Sequence, residues 1–190
     1  MLVTGAASGI GRATAITFAR AGAAVVAADL DPGLCEETVR LIGSAGGEAF
    51  AVPTDVCQPR SVENLVAVAV TRYGWLHCAV NSAGVTGPAV AAADVTEAQW
   101  SWVIAVTLTG VWLFMKHEIP AIAAVGGGTI VNVASTAGLR AGPRTAAYAA
   151  SKHGVVGLTK AAAQDYAAAK VRINAVCPGP IRTPMLDRIT

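Results

Sequence analysis

Apolar positions along the chain alternate between two lengths. Short runs rich in β-branched residues occupy 2–3, 24–28, 48–52, 76–80, 129–134 and 171–176. Between them lie helix-length segments near 10–21, 34–45, 61–73, 97–124 and 146–168. Such alternation predicts βαβ units, hence a parallel sheet with helices on both faces. Right-handed crossovers then leave little beyond the α/β doubly wound, dinucleotide-binding architecture. The expectation is one domain over 1–190 with six strands. Its last strand, 171–176, is read as an interior strand with apolar residues on both faces.

Composition narrows this only slightly. Hydrophobic residues make up 54% of the 190 and charged residues 14%, below the usual share, and much of the apolar count is alanine. No stretch of about eighteen apolar residues runs free of glycine, proline and charge, so no membrane span is expected. The segment 119–134 contains Pro120, three successive glycines and Asn132, and reads as helix end, turn and buried strand. The chain opens directly on Met1-Leu2-Val3-Thr4-Gly5, without room for a signal peptide, so a cytoplasmic location is expected. A net charge of +2 with scattered basic residues argues against nucleic-acid binding. Cys35, Cys57, Cys78 and Cys177 show no metal-ligand spacing and are expected to be buried reduced thiols; His77, His117 and His153 are isolated.

Chemistry enters at the first strand-to-helix junction, Thr4-Gly5-Ala6-Ala7-Ser8-Gly9-Ile10-Gly11. Glycines there let the backbone turn tightly and approach a pyrophosphate, whose charge the helix N-terminus stabilises. The spacing is G-x-x-x-G-x-G, and a tight turn without a ligand would also satisfy it. The second strand then ends in Asp29, about 20 residues beyond the loop, where adenosine ribose hydroxyls are read. A carboxylate there repels a 2′-phosphate, and no arginine precedes Arg12 to offset it, so NAD is favoured over NADP. Asp31, in Asp31-Pro32-Gly33, reads as a turn or helix cap.

Tyr148 and Lys152 stand at i and i+4 and so share one helical face. Ser135 ends the strand that precedes them, and in an open α/β sheet ligands bind beyond the carboxyl ends of strands. Oxidising an alcohol needs a base for the hydroxyl proton. A phenol is poorly acidic by itself, and a neighbouring ammonium favours the phenolate. Lys152 is expected to supply that charge, and Ser135 to donate a hydrogen bond to the substrate oxygen.

In this order and spacing the chain resembles the short-chain dehydrogenase/reductase family over nearly its whole length. The pieces that carry the resemblance are Thr4-Gly5-x-x-x-Gly9-x-Gly11, Asp29, Asp55-Val56, Asn81-Ser82-Ala83-Gly84, Ser135, Tyr148-x-x-x-Lys152 and Pro178-Gly179-Pro180-Ile181-x-Thr183. The resemblance implies a Rossmann-like fold and hydride transfer between NAD and a small alcohol or ketone. Ser135, Tyr148 and Lys152 would be catalytic. Gly5, Ser8, Gly9, Ile10, Gly11 and Asp29 would hold the pyrophosphate and adenosine. Asp55 and Val56 would flank the adenine, and Asn81, Ala83 and Gly84 would border the ribose. Lys152 would also hold the nicotinamide ribose beside Tyr148. Pro178, Gly179, Ile181 and Thr183 would hold the carboxamide. The resemblance also implies a homo-oligomer. Thr107 stands where the family usually has an asparagine that supports a proton relay. Members commonly continue past the Pro-Gly motif, so the chain reads as C-terminally short, with an open edge after 176. Residues 85–93 and 139–145 would line a modestly apolar substrate pocket.

Two other readings remain open from the sequence: a non-catalytic dinucleotide binder, and a fragment without independent function.

Overall fold

A computed structural model of the chain describes residues 1–187. Its six strands are β1 (Leu2–Thr4), β2 (Val25–Asp29), β3 (Ala49–Pro53), β4 (Cys78–Asn81), β5 (Gly128–Val133) and β6 (Val171–Val176). They form one sheet in the order β3-β2-β1-β4-β5-β6, with every neighbouring pair parallel. The helices are α1 (Gly9–Arg20), α2 (Pro32–Ser44), α3 (Pro59–Tyr73), α4 (Glu97–Ile104), α5 (Gly110–Ala123), α6 (Ala146–Asp165) and a short α7 (Pro184–Asp187). The expected α/β doubly wound, Rossmann-like single domain is what the chain forms.

Side chains alternate along each strand, so the sheet separates two cores. Leu2, Val26, Ala28 and Ile130 face α3, α5 and α6 in one buried cluster. Val3, Val25, Ala27 and Val133 face α1 and α2 in the other. The strand order reverses between β1 and β4. The crevice beyond their carboxyl ends is where such sheets bind ligands.

Local signals account for most helix ends. Asp31 caps α2 by accepting from the Leu34 N–H at 3.0 Å, the cap role read for it, with Pro32 in the first turn. Thr96 and Gln99 form a reciprocal capping box on α4. Gly74 closes α3 in the left-handed conformation, φ 80°.

Three expectations need correction. The single helix over 97–124 is interrupted: Ala105–Thr109 forms a turn of π-helix between α4 and α5. A π turn leaves no mark in hydrophobic spacing. Second, only one face of β6 is apolar, while its place at the sheet edge among the described residues agrees with the open edge read after 176. Val171 and Ile173 are buried, whereas Arg172 and Asn174 are exposed. Third, only Cys35 is buried; Cys57, Cys78 and Cys177 are partly exposed. Burial pushes the Cys35 thiol up to about 12, which makes it inert. The helical rod Glu97–Ala123 is long and apolar enough to cross a membrane by length and composition only, which does not make it a span. Its inward residues, including Val103, Val111, Phe114 and Ile122, are buried in the domain. The expected final stretch, residues 188–190, lies outside the described residues.

Candidate active site

The glycine loop joins β1 to α1 at the crevice. Gly5 adopts φ 67°, in the left-handed region that disfavours any side chain. A Cβ on Gly11 would overlap the Gly5 carbonyl oxygen, so the helix can start this close to the loop only with glycine there. Ser8 is the exposed N-cap of α1, yet its hydroxyl makes no capping bond. Backbone N–H groups at this helix start and the Ser8 hydroxyl therefore remain available to an anion.

Three side chains fix the loop: Asp29, Thr4 and Thr38, whose Oγ1 donates to the Ala6 carbonyl at 2.8 Å. Asp29 Oδ2 accepts from the Ala7 N–H at 2.9 Å, and its Oδ1 accepts from the Asp31 N–H at 3.3 Å. Thr4 Oγ1 accepts from the N–H groups of Ser82 (3.0 Å) and Ala83 (3.2 Å), tying β1 to the segment after β4. Arg12 is committed elsewhere. Its guanidinium bonds Thr38 Oγ1, the Leu34 carbonyl and Glu37 Oε2, each within 3.1 Å.

On the near side, Asp55 Oδ1 accepts from the Cys57 N–H at 2.8 Å, and the Val56 side chain would sit 3.2 Å from a Cβ on Gly110. On the far side the loop after β6 folds back. The Pro178 carbonyl accepts from the Thr136 N–H at 2.9 Å, and the Thr183 methyl approaches Gly9. Gly9, Ile10, Thr14, Ile181 and Thr183 line an open cleft of about 390 Å³ between α1 and this loop.

The structure brings Ser135, Tyr148 and Lys152 together. Ser135 lies just beyond β5 and accepts from the Ala137 N–H at 3.1 Å. Tyr148 and Lys152 project from the first turns of α6, with the Lys152 Nζ 5.7 Å from the Tyr148 ring centre. Lys152 is 4% exposed and donates to the Val133 carbonyl at 2.6 Å. Burial lowers its pKa to about 8. Tyr148 behaves differently from the expectation. Burial pushes its phenol above the ordinary value, and the polar side chain of Ser135 opposes this only in part. The Lys152 ammonium meanwhile donates to the Val133 carbonyl, 5.7 Å from the centre of the Tyr148 ring.

Asn81 and Thr107 also depart from their expected roles. Asn81 is 1% exposed and turns inward, donating from Nδ2 to Glu118 Oε2 and Asn132 Oδ1 at 3.0 Å each. Its side-chain donors are thus committed to the core rather than to the cleft. A Cβ on Gly84 would lie 3.6 Å from the Lys152 Nζ, so Gly84 keeps that approach narrow. Thr107, in the π turn, accepts from the Val85 N–H and donates to the Val85 carbonyl, both at 3.0 Å. Its hydrogen is thus committed to the backbone, and one lone pair of the hydroxyl is left over.

Sequence reading missed Thr4 as a clamp, and it missed Glu118, Asn132 and Thr159 altogether. The Thr4 position was visible in the loop motif. The other three lie inside apolar helix and strand patterns, where only their polarity could have marked them.

The short chain dehydrogenase family model matches residues 1–190. The chain is 43% identical over 185 residues to the cyclohexanol dehydrogenase of Acinetobacter sp. (strain SE19), covering 97% of this chain and 74% of that protein. It belongs to the short-chain dehydrogenase family.

Among other members, the 3beta-hydroxysteroid dehydrogenase of Mediterraneibacter gnavus is 42% identical over 188 residues, covering 99% of this chain and 68% of that one. Levodione reductase superposes with a TM-score of 0.97 at 34% identity, covering 99% of this chain and 74% of its own. Carveol dehydrogenase from Mycobacterium avium, solved in complex with NAD, gives a TM-score of 0.90 at 32% identity, over 93% of this chain and 69% of its own. Membership makes this short-chain dehydrogenase an oxidoreductase.

Proposed function

We propose that the chain transfers hydride between NAD and a small, modestly apolar alcohol or ketone, with Tyr148 as the general acid/base. The observation that carries this reading is Lys152, buried and held to the Val133 carbonyl, with its ammonium 5.7 Å from the ring of Tyr148 on the same helix face. A cation is buried at such cost only where it has a task.

The site fits a dinucleotide. The Gly5–Gly11 contact opens a backbone cradle, and the free Ser8 hydroxyl stands at its mouth. Gly5, Ser8, Gly9, Ile10 and Gly11 would take the pyrophosphate. Asp29 would take the adenosine ribose, Asp55 and Val56 the adenine, and Ala83 and Gly84 the neighbouring sugar. Pro178, Gly179, Ile181 and Thr183 would take the carboxamide. The bound nicotinamide ring supplies the acceptor or donor of hydride. Asp29 favours NAD over NADP, since its carboxylate faces the ribose position and Arg12 is held by α2.

The chain's own residues handle the proton. With its pKa raised, Tyr148 rests as a neutral phenol, suited to donating its proton as a carbonyl is reduced. In alcohol oxidation the phenolate form must be reached first, so that direction gains as pH rises. Ser135 donates to the substrate oxygen while charge develops on it. The relatives' names include a cyclohexanol dehydrogenase and a hydroxysteroid dehydrogenase, which favours cyclic secondary alcohols as a starting panel.

The exposed Trp100, Trp102 and Trp112 of α4 and α5 would suit a contact between two copies. Light scattering tests that part. The function itself is tested by NADH fluorescence titration together with turnover on a panel of cyclic alcohols and ketones. Quenching without turnover on any of them would favour the non-catalytic dinucleotide binder instead.

A further inference from the structure

Glu118 is fully buried in α5, and the proposed chemistry does not use it. It heads a polar network crossing an otherwise apolar core. Glu118 Oε2 accepts from Asn81 Nδ2, whose second hydrogen goes to Asn132 Oδ1. Asn132 Nδ2 in turn donates to Thr159 Oγ1 at 2.9 Å and Met115 Sδ at 3.2 Å. Asn81 and Asn132 are register partners on β4 and β5. The network therefore binds together the strand before Ala83 and Gly84, the strand before Ser135, and the helix that carries Tyr148 and Lys152.

Its donors are all used, but two acceptors are left over. Glu118 Oε1 and Asn81 Oδ1 have no hydrogen-bond partner among the described residues. They belong to the two groups already joined by the Oε2–Nδ2 bond. An unpaired buried oxygen is costly, and two neighbouring ones are not satisfied by an ionised carboxylate. A proton on Oε1 is a donor that can serve Oδ1. We propose that Glu118 is a positioning residue that is held uncharged, its acid group closing an acid–amide pair with Asn81 that sets the β4 end against the cofactor.

The surroundings agree. Asn81 meets the carboxyl from β4, with Asn132 of β5 and Thr159 of α6 linked behind it, and the buried core that α5 shares with α3 and β6 is built of apolar residues such as Val62, Leu65, Val171 and Ile173. No charged side chain acts on it among the described residues. Burial raises its pKa from 4.5 to about 7, and the Asn81 bond offsets only part of that.

The positioning role rests on the proposed reading that residues 83–84 border the dinucleotide; the protonation state does not. The experiment compares the wild-type chain with Glu118→Gln and Glu118→Leu. A raised acid pKa favours the fold below pH 4.5, and that advantage is lost as pH rises to about 7. The Gln variant carries the same donor and acceptor without titrating. The ratio of wild-type to Gln-variant unfolding constants is therefore expected to rise about tenfold per pH unit across that window. The Gln variant should keep NADH affinity and kcat within about twofold, whereas the Leu variant, lacking the bond to Asn81, should bind NADH about tenfold more weakly. Parallel pH slopes for wild type and Gln variant would overturn the acid–amide pair. Unchanged NADH affinity in a folded Leu variant would overturn the positioning role. Wild-type protein that binds no NADH would sink the proposed function and the positioning role with it, and the pH slopes would still decide the pair.

Discussion

Around β1, α1 and β2 the cleft wall is backbone, whereas around β5 and α6 it is side chain. The first wall depends on Gly5 in the left-handed region, on Gly11 against the Gly5 carbonyl, and on Asp29 holding the Ala7 N–H. These residues lie within the first thirty of the chain. The second depends on Lys152 reaching back to Val133, and on Ser135 beside Tyr148. A backbone wall tolerates no added bulk. A wall of buried ionisable groups tolerates changes of shape better than changes of proton occupancy.

The sharpest test of that contrast is Tyr148→Phe. The ring still packs, so NADH binding is expected to persist while turnover falls by about 10²–10⁴, the usual range for losing a general acid/base. Stopped-flow rates beside a fluorescence titration separate the two. Near wild-type rates would place the proton chemistry elsewhere.

Gly11→Ala attacks the other wall. Its new Cβ must displace the Gly5 carbonyl, and overpacking of this kind costs about 1–3 kcal/mol. Here NADH binding should be lost while the fold survives, which is the reverse of the tyrosine result. Retained affinity by titration would mean that the loop adjusts and is not a rigid cradle.

Lys152→Met probes the charge. Because burial lowers the lysine pKa from 10.5 to about 8, the folded chain gives up a proton that the unfolded chain keeps between these values. Wild-type stability should therefore increase as pH climbs from 8 towards 10.5, and be lowest, on this account, below pH 8. The methionine variant should lack that rise in thermal melts while also losing turnover. The same rise in both proteins would assign it to another group.

Asp29→Ala has the smallest expected effect. The gap between NAD and NADP affinity should narrow by about tenfold, equivalent to roughly 1.4 kcal/mol. Affinity for NAD itself should also weaken, since the Ala7 N–H loses its acceptor. Equal affinities for both dinucleotides in the parent protein would remove Asp29 as the discriminating residue.

Much of this was legible beforehand because it is local. Alternating run lengths give the parallel sheet, a left-handed turn needs glycine, and Asp31 caps the helix that follows it. The Tyr148–Lys152 pair shares a face because a helix repeats every 3.6 residues. None of this requires knowledge of which distant residues meet.

What tertiary structure alone decided is the environment of each ionisable group. Sequence reading gave Lys152 the task of lowering the tyrosine pKa, but the fold offers the ammonium a carbonyl and leaves the phenol raised. It gave Asn81 a place beside the ribose, but the fold turns that side chain toward Glu118, thirty-seven positions away. The interrupted helix at Thr107 and the single buried face of β6 were likewise set by packing. Hydrophobic periodicity determines which way an element faces. The pKa of a buried group depends on how much water is removed and which partners replace it, and those partners come from elements far apart along the chain.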